Sequence, residues 1–240
     1  MNKKEFSKVA LLPARSGSKR IRDKNIKMLG TKPLLAHTIE TALDSGVFDH
    51  VICVTDSARY AEIAKEFGAY VPELRPKRIS GDKSPDIDWL QWILGVMQKH
   101  KIEPEILAIL RPTSPFRNAQ TIVRAMNMFL EDGRQDSLRA VQEVAEHPGK
   151  MWTKHGSRIL PLLPFTLDGT PWHSHQYANL PKVYVQNASL EIVWTDVVLK
   201  TGSIAGSSVM PFLTEGIEGF DINRPEDWLI AEHYFKMIKE

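Results

Sequence analysis

Three short apolar runs set the strongest limit on the fold. Val9-Ala10-Leu11-Leu12, Val51 to Thr55 and Ile106 to Leu110 are short and almost unbroken in their apolar character. That is the pattern of strands buried on both faces of a parallel sheet. Pro13 ends the first run and Pro112 follows the third, and proline cannot extend a central strand. Helical stripes alternate with these runs. Leu34, Ile39 and Leu43 share one helix face that stops near Gly46, and Ser57 caps a second helix carrying Ala61, Ile63, Ala64 and Phe67 up to Gly68. Asp86 opens a third helix with Trp89, Ile93 and Val96, and Ala119 to Leu130 forms a fourth. Alternating strands and helices with short connections predict an α/β fold, a mostly parallel sheet with helices on both faces. Ligands of such sheets sit beyond the carboxyl ends of the strands. The loops after Leu12, Thr55 and Leu110 are therefore expected to line one crevice.

The rhythm breaks between Ala145 and Pro181, a stretch with five prolines, four histidines and no helical pattern. It reads as an insertion at about 145–181 within a single domain of 1–240. Val183, Val185, Leu190, Ile192 and Trp194 resume strand character, and a last helix is expected from about Pro225 to Ile238. The 31 Lys and Arg residues nearly cancel the 29 Asp and Glu, leaving +2. Bulk charge therefore gives no footprint for nucleic acid, and an anion must be gripped locally. Met1 to Lys8 has no apolar signal core, and no run reaches the roughly 18 apolar residues of a membrane span. The lone Cys53 lies in an apolar run and reads as a small buried hydrophobe in a reducing compartment. The chain is expected to be cytoplasmic, with no membrane and no nucleic-acid partner.

Chemistry concentrates in the first loop, Leu12-Pro13-Ala14-Arg15-Ser16-Gly17-Ser18-Lys19-Arg20, followed by Lys24-Asn25. A glycine among small hydroxyl residues lets backbone N–H groups approach an anion. Arg15, Lys19 and Lys24 add positive charge suited to a triphosphate. The spacing fits neither a Walker A loop nor a dinucleotide fingerprint, and taken alone the loop reads equally as a basic surface loop.

More motifs follow in order: Val54-Thr55-Asp56, Leu74-Arg75-Pro76 with Ser80 to Ser84, Arg111-Pro112-Thr113-Ser114-Pro115-Phe116-Arg117, His147-Pro148 and Phe220-Asp221-Ile222-Asn223. With the loop, this series resembles the CMP-sialic acid synthetase family, the acylneuraminate cytidylyltransferases, over nearly the whole chain. The resemblance implies a Rossmann-like twisted sheet and a homodimer formed through the inserted arm. It implies a Mg²⁺-dependent reaction in which an acceptor hydroxyl attacks the α-phosphorus of CTP and pyrophosphate leaves. Carried onto this sequence, Arg15, Lys19 and Lys24 cradle phosphates, with Ser16, Gly17, Ser18 and Asn25 beside them. Lys24 and Arg15 stabilise transition-state charge. Arg75 and Ser84 contact base or ribose near the backbone of Leu12 and Ala14, with Pro112 and Thr113 close by, and Asp221 holds the metal together with Asn223. Structural alternatives stand beside these roles. Asp221 or Asp56 could cap the helix that follows, Arg75 could be a solvated strand-end charge, and Trp89, Trp92 and Ile93 read as core.

Departures from the family pattern fall on the acceptor side. Arg111 replaces its Gln, Val185-Gln186-Asn187-Ala188-Ser189 lacks an expected Arg, Glu191 stands where it tends to have an aromatic, and Asn223 replaces an Asp. Arg111, Asn187 and Glu191 are thus the candidate acceptor contacts, Arg111 for a carboxylate or phosphonate and Glu191 for an amine or hydroxyls. Asp82, Asp86 and Asp88 could help hold the metal or simply favour a helix N-terminus. The expected partners are CTP and an acidic, nonulosonic sugar. The alternatives are a phosphonate acceptor, a sugar 1-phosphate with a nucleotide such as GTP, and a nucleotide-binding protein without catalysis.

Overall fold

The computed structural model describes residues 6–131 and 134–239. Among these, six strands build the main sheet: β1 (Lys8–Pro13), β2 (His50–Val54), β3 (Ile106–Ile109), β4 (Ser137–Glu143), β5 (Tyr184–Trp194) and β6 (Val209–Leu213). Their order in space is β6-β4-β5-β3-β1-β2. β1 pairs in parallel with β2 from Val9 opposite His50 and with β3 from Lys8 opposite Ile106. Val9 to Leu12 are buried, which is why this run shows no polar alternation. From β2 the chain passes to the other side of β1 to make β3. Connections leaving β1 and β3 therefore diverge, and a crevice opens between their carboxyl ends.

β5 departs from the parallel rule. Glu191 lies opposite Ile109 and Trp194 opposite Ile106, so β5 runs antiparallel to β3 and brings its Asn187–Glu191 segment to the carboxyl end of that strand. Bonds from Val144 N to Val183 O and from Trp194 N to Asp136 O show that β4 and β5 are antiparallel as well. Alternation along 183–194 predicts a strand but carries no direction.

Among the described residues, six α-helices accompany the sheet: α1 (Leu34–Asp44), α2 (Ala58–Glu66), α3 (Asp86–Lys99), α4 (Ala119–Glu131), α5 (Thr195–Thr201) and α6 (Pro225–Lys239). Ser57 Oγ accepts the Tyr60 amide at 3.4 Å, and Gly68 ends that helix at φ +93°, a value few side chains tolerate. Asp56 is therefore not the cap. Trp89 is fully buried and its indole N–H donates to Asp86 at 2.8 Å, so this tryptophan belongs to the core. Burial pushes the Cys53 thiol up to about 12, the behaviour of a small hydrophobe.

A second, smaller core underlies α6, where Leu29, Leu34, Ile222, Trp228 and Ala231 pack together. A tight hairpin turns at Gly30, φ +63°, where any Cβ would strike Phe235. Burial of Ile222 in this core fixes the flanking Asp221 and Asn223.

The chain divides into two compact units, one of Met1–Ala140 with Asn187–Glu240 and one of Val141–Gln186. Within the second, a hairpin pairs Trp152–His155 with Arg158–Pro161, and short turns replace helices. His147 is buried; it accepts the Gly149 amide at 2.9 Å and bonds Pro181 O at 3.0 Å. This unit leaves Trp152, Ile159, Leu160, Leu162 and Phe165 exposed.

Candidate active site

Two pockets meet at the carboxyl ends of β1 and β3. One, of about 260 Å³, is walled by Pro13, Arg75, Ser84, Asp86 and Arg111. The other, of about 480 Å³, is walled by Ser18, Lys19, Arg20, Lys24 and Asn223. Arg15 and Asp82 line both and stand at their junction. A larger cavity of about 590 Å³, lined by Phe6, Leu130, Trp194 and Leu199, lies at the amino ends of these strands. It is mostly apolar and remote from the loops.

The loop after β1 is held by its neighbours. Ser16 donates to Asp56 from both its amide, at 2.8 Å, and its hydroxyl, at 3.0 Å. Asn25, buried, donates to Arg15 O at 3.1 Å. Asp56, Ser16 and Asn25 thus brace the loop, and the Ser16 amide points away from any anion in the crevice. Gly17 has no left-handed φ, and a Cβ there would meet nothing nearer than Arg15 at 3.8 Å. Its openness leaves room for a ligand rather than relieving backbone strain. Leu12 and Ala14 are buried, and the Ala14 amide is spent on Val54 O at 2.9 Å.

Lys24 follows Asp23, a non-glycine residue at φ 51° whose carboxylate accepts the Tyr60 hydroxyl at 3.0 Å. That turn aims Lys24 across the crevice, where Nζ donates to Ile222 O at 2.6 Å. Burial lowers the Lys24 pKa, and the nearby Asp221 opposes this without reversing it. The Ile222 amide donates to Thr113 O at 2.9 Å, so the loop after β3 anchors the Asp221 segment through its backbone. Pro112 is buried beside it and reaches neither pocket.

Arg75 is buried, not a solvated strand-end charge. Its amide donates to Thr55 O at 2.8 Å, its guanidinium donates to Ile79 O, and its charge lies 5.9 Å from the Trp89 ring. The following loop closes on itself, Ser84 Oγ accepting the Gly81 amide at 3.1 Å.

The acceptor-side candidates form a different structure. Arg111 donates to Asp86 at 2.6 Å and to Glu191 at 2.9 Å, and Arg139 pairs with the other Glu191 oxygen. Burial works against the Arg111 charge, but Glu191 and Asp86 outweigh it and raise its pKa. Glu191 is 2% exposed, so it orients arginines rather than meeting a ligand. Asn187 also faces inward, its amide donating to Thr214 at 2.9 Å and its oxygen accepting the Ser189 amide at 3.1 Å. Of the three, Arg111 alone lines either of these two pockets.

Sequence reasoning missed Arg139, which no motif contains, and gave no role to Arg117. Arg117 is buried, has no carboxylate partner among the described residues, and bridges Ser189 O and Thr38 Oγ1, joining β5 to α1. The motif containing Arg117 was a signal that could have singled it out.

Asp221 Oδ1 is buried and has no hydrogen-bond partner among the described residues. Oδ2 accepts from the Asn223 amide at 2.5 Å. An orphaned carboxylate oxygen fits a hard cation, and Asn223 carries an amide oxygen that can join it. No cluster of three His, Cys, Asp or Glu side chains suited to a metal occurs among the described residues. A Mg²⁺ ion here would take its remaining ligands from phosphates and water, as this ion usually does.

The family model for cytidylyltransferases matches residues 9–150. The CMP-N,N'-diacetyllegionaminic acid synthase of Legionella pneumophila is 31% identical over 237 residues, spanning 97% of each chain. The N-acylneuraminate cytidylyltransferase of Escherichia coli is 43% identical over 121 residues, half of this chain and 28% of that one. The pseudaminic acid cytidylyltransferase of Campylobacter jejuni is 33% identical over 124 residues, 52% of this chain and 53% of that one. Among solved structures, CMP:2-keto-3-deoxy-manno-octonic acid synthetase complexed with CTP superposes with a TM-score of 0.70 at 16% identity, covering 97% of this chain and 99% of that one. A 4-diphosphocytidyl-2C-methyl-D-erythritol synthase from Anaerococcus prevotii follows at 0.62 and 12%, covering 96% and 99%. The two structures show that the chain shares their fold, and the family model takes in the first loop, Arg75 and Arg111 together. On these grounds the chain belongs to the cytidylyltransferase family, among relatives of the CMP-sialic acid synthetases.

Proposed function

We propose that this protein transfers CMP from CTP to a hydroxyl of an acidic nonulosonic sugar and releases pyrophosphate. The observation that carries the reading is the pair of pockets joined at Arg15, one rich in cations and one floored by the buried Arg75. Base and ribose suit the smaller pocket, against Arg75 and Ser84, and the phosphates suit the larger. The relative that spans the chain end to end is named for a CMP-nonulosonic acid.

Chemistry on a triphosphate is mostly positioning and charge compensation. Arg15, Lys19 and Lys24 converge on the phosphate pocket, and Lys24, fixed by the Asp23 turn, is the group aimed at charge developing during transfer. Asp221, with Asn223 beside it, would hold Mg²⁺, whose contribution is to offset negative charge on the phosphates. The acceptor hydroxyl oxygen bonds to the α-phosphorus as the bond to pyrophosphate breaks, and the hydroxyl proton passes to solvent. Arg111, kept in place by Asp86 and Glu191, offers its remaining donors to the acceptor.

A sugar 1-phosphate with another nucleotide is disfavoured. The family model and the three relatives described above carry cytidylyl or CMP names, and two carboxylates already offset the charge of Arg111. The apolar side chains exposed by Val141–Gln186 support a homodimer in which a second copy covers this arm. A lone buried Cys53 fits a reducing, cytoplasmic compartment.

The test is pyrophosphate release from each of the four NTPs, with Mg²⁺, against nonulosonic acids, Kdo-like acids and sugar 1-phosphates. Release confined to CTP with a nonulosonic acid is expected. Release only with another nucleotide and a sugar phosphate, or none with any pair, would overturn the proposal.

A further inference from the structure

Asp82 stands where the two pockets meet, and its carboxylate already holds two of the three cations assigned to the triphosphate. One oxygen accepts from Arg15 Nη1 and the other pairs with Lys19 Nζ, both at 2.5 Å. An anion belonging to the chain therefore sits where a substrate anion is expected. Hydrogen bonds from Lys19 and Arg15 hold its carboxyl below the usual range, so it is charged at any working pH. Its side chain is 32% exposed, and that of Lys19 is 83% exposed, so both can swing into water without opening a cavity. The backbone beneath is fixed by the Gly81–Ser84 bonds. Movement thus falls on side-chain rotation rather than on the loop.

We propose that Asp82 is a tethered competitor of the nucleotide phosphates, holding Arg15 and Lys19 in the empty site, yielding to an entering polyphosphate and returning as pyrophosphate leaves. The inference rests on the reading of Arg15 and Lys19 as phosphate cations. A carboxylate on a short tether acts at an effective concentration on the order of millimolar. Anions that grip only these two cations fall below that threshold. A triphosphate that also reaches Lys24 exceeds it. The same competition weakens pyrophosphate by the same factor, so the cost to substrate binding is matched by a gain in product release. Asp82 thereby sets polyphosphate affinity and product release without taking part in the covalent step.

The test is calorimetric titration of the whole protein and of Asp82→Asn with inorganic tripolyphosphate, pyrophosphate and CTP, with and without Mg²⁺. Asp82→Asn is expected to bind tripolyphosphate and pyrophosphate about fivefold more tightly, a size set by the loss of exposed ion pairs as competitors. Inhibition of turnover by pyrophosphate should strengthen by the same factor. Asp82→Glu keeps the charge and should stay near the native values. An unchanged thermal midpoint would show that the variants fold. Equal or weaker tripolyphosphate binding by Asp82→Asn would overturn the proposal. A loss of affinity confined to the Mg²⁺ series would overturn it too, marking Asp82 as a metal ligand. Tighter tripolyphosphate with no CTP binding in either protein would keep the competitor and remove the cytidylyl reading. CTP-dependent turnover with no change in anion affinity would do the reverse.

Discussion

The two walls of the site are built on opposite plans. On the proposed nucleotide side, the framework is held by hydrogen bonds within and around the loop, Ala14 to Val54, Ser16 to Asp56, Asn25 to Arg15 and Ile222 to Thr113, while cations project from it into open pockets. On the acceptor side, charges are the framework, with Asp86, Arg111, Glu191 and Arg139 binding one another in series. A wall of the first kind can lose a cation and keep its shape. A wall of the second kind loses its shape with any member, because a buried charge without its counterion is costly.

The sharpest test of this contrast is Lys24→Ala. Its side chain contributes charge to the site and one bond to Ile222 O. Turnover should fall about 10²- to 10³-fold, the range for removing one preorganised charge-stabilising donor, with little change in thermal midpoint. A midpoint drop of the same rank as the activity loss would blur the two walls into one. Glu191→Gln should behave in the opposite sense. It leaves Arg139 and Arg111 without their shared carboxylate, and since Arg111 is partly exposed, about 2 kcal/mol of stability should be lost. Chemical denaturation reads this directly, and a variant as stable as the native protein would show that the series is not structural.

Asn223→Asp probes the boundary between the walls. A second carboxylate beside Asp221 should lower the Mg²⁺ concentration for half-maximal turnover about tenfold, read by metal titration. No shift would count against the Asp221 site. The smallest effect concerns pH. Because burial lowers the Lys24 pKa, the free enzyme should lose this cation below the ordinary value of 10.5, and kcat/KM for CTP should fall on its alkaline side earlier than a solvated lysine would dictate. Bound phosphates favour the charged amine, so the corresponding limb of kcat should lie at higher pH. Coincident limbs would detach Lys24 from the phosphates.

Parts of this arrangement are legible in the sequence for simple reasons. Strands buried on both faces leave uninterrupted apolar runs, so β1, β2 and β3 stand out, and loops beyond their ends follow from the alternation of helices. The cations of the first loop are contiguous in the chain and could be read together. What stayed hidden depends on contacts between distant residues. Arg111 meets Glu191 80 positions away, and Arg139 meets Glu191 52 positions away, yet neither spacing leaves a periodic trace. The antiparallel course of β5 is equally silent, although it decides that Glu191 reaches the end of β3. Asp56 shows the limit in miniature. A capping pattern and a loop brace demand the same residue type, and only the neighbouring Ser16 tells them apart.

The neighbouring, antiparallel course of β4 and β5 has an evolutionary consequence. Both strands run across the limits of the Val141–Gln186 unit, so the chain leaves and re-enters the sheet through adjacent positions. In topological terms that unit is a hairpin whose tip has grown into a body of its own. Lengthening such a tip costs little, about 0.6 kcal/mol for each doubling of a flexible loop. Register in the strands that carry the two pockets is set elsewhere. A lineage could therefore exchange or enlarge the insertion, and with it whatever the insertion governs, while its machinery for handling a nucleotide stayed the same.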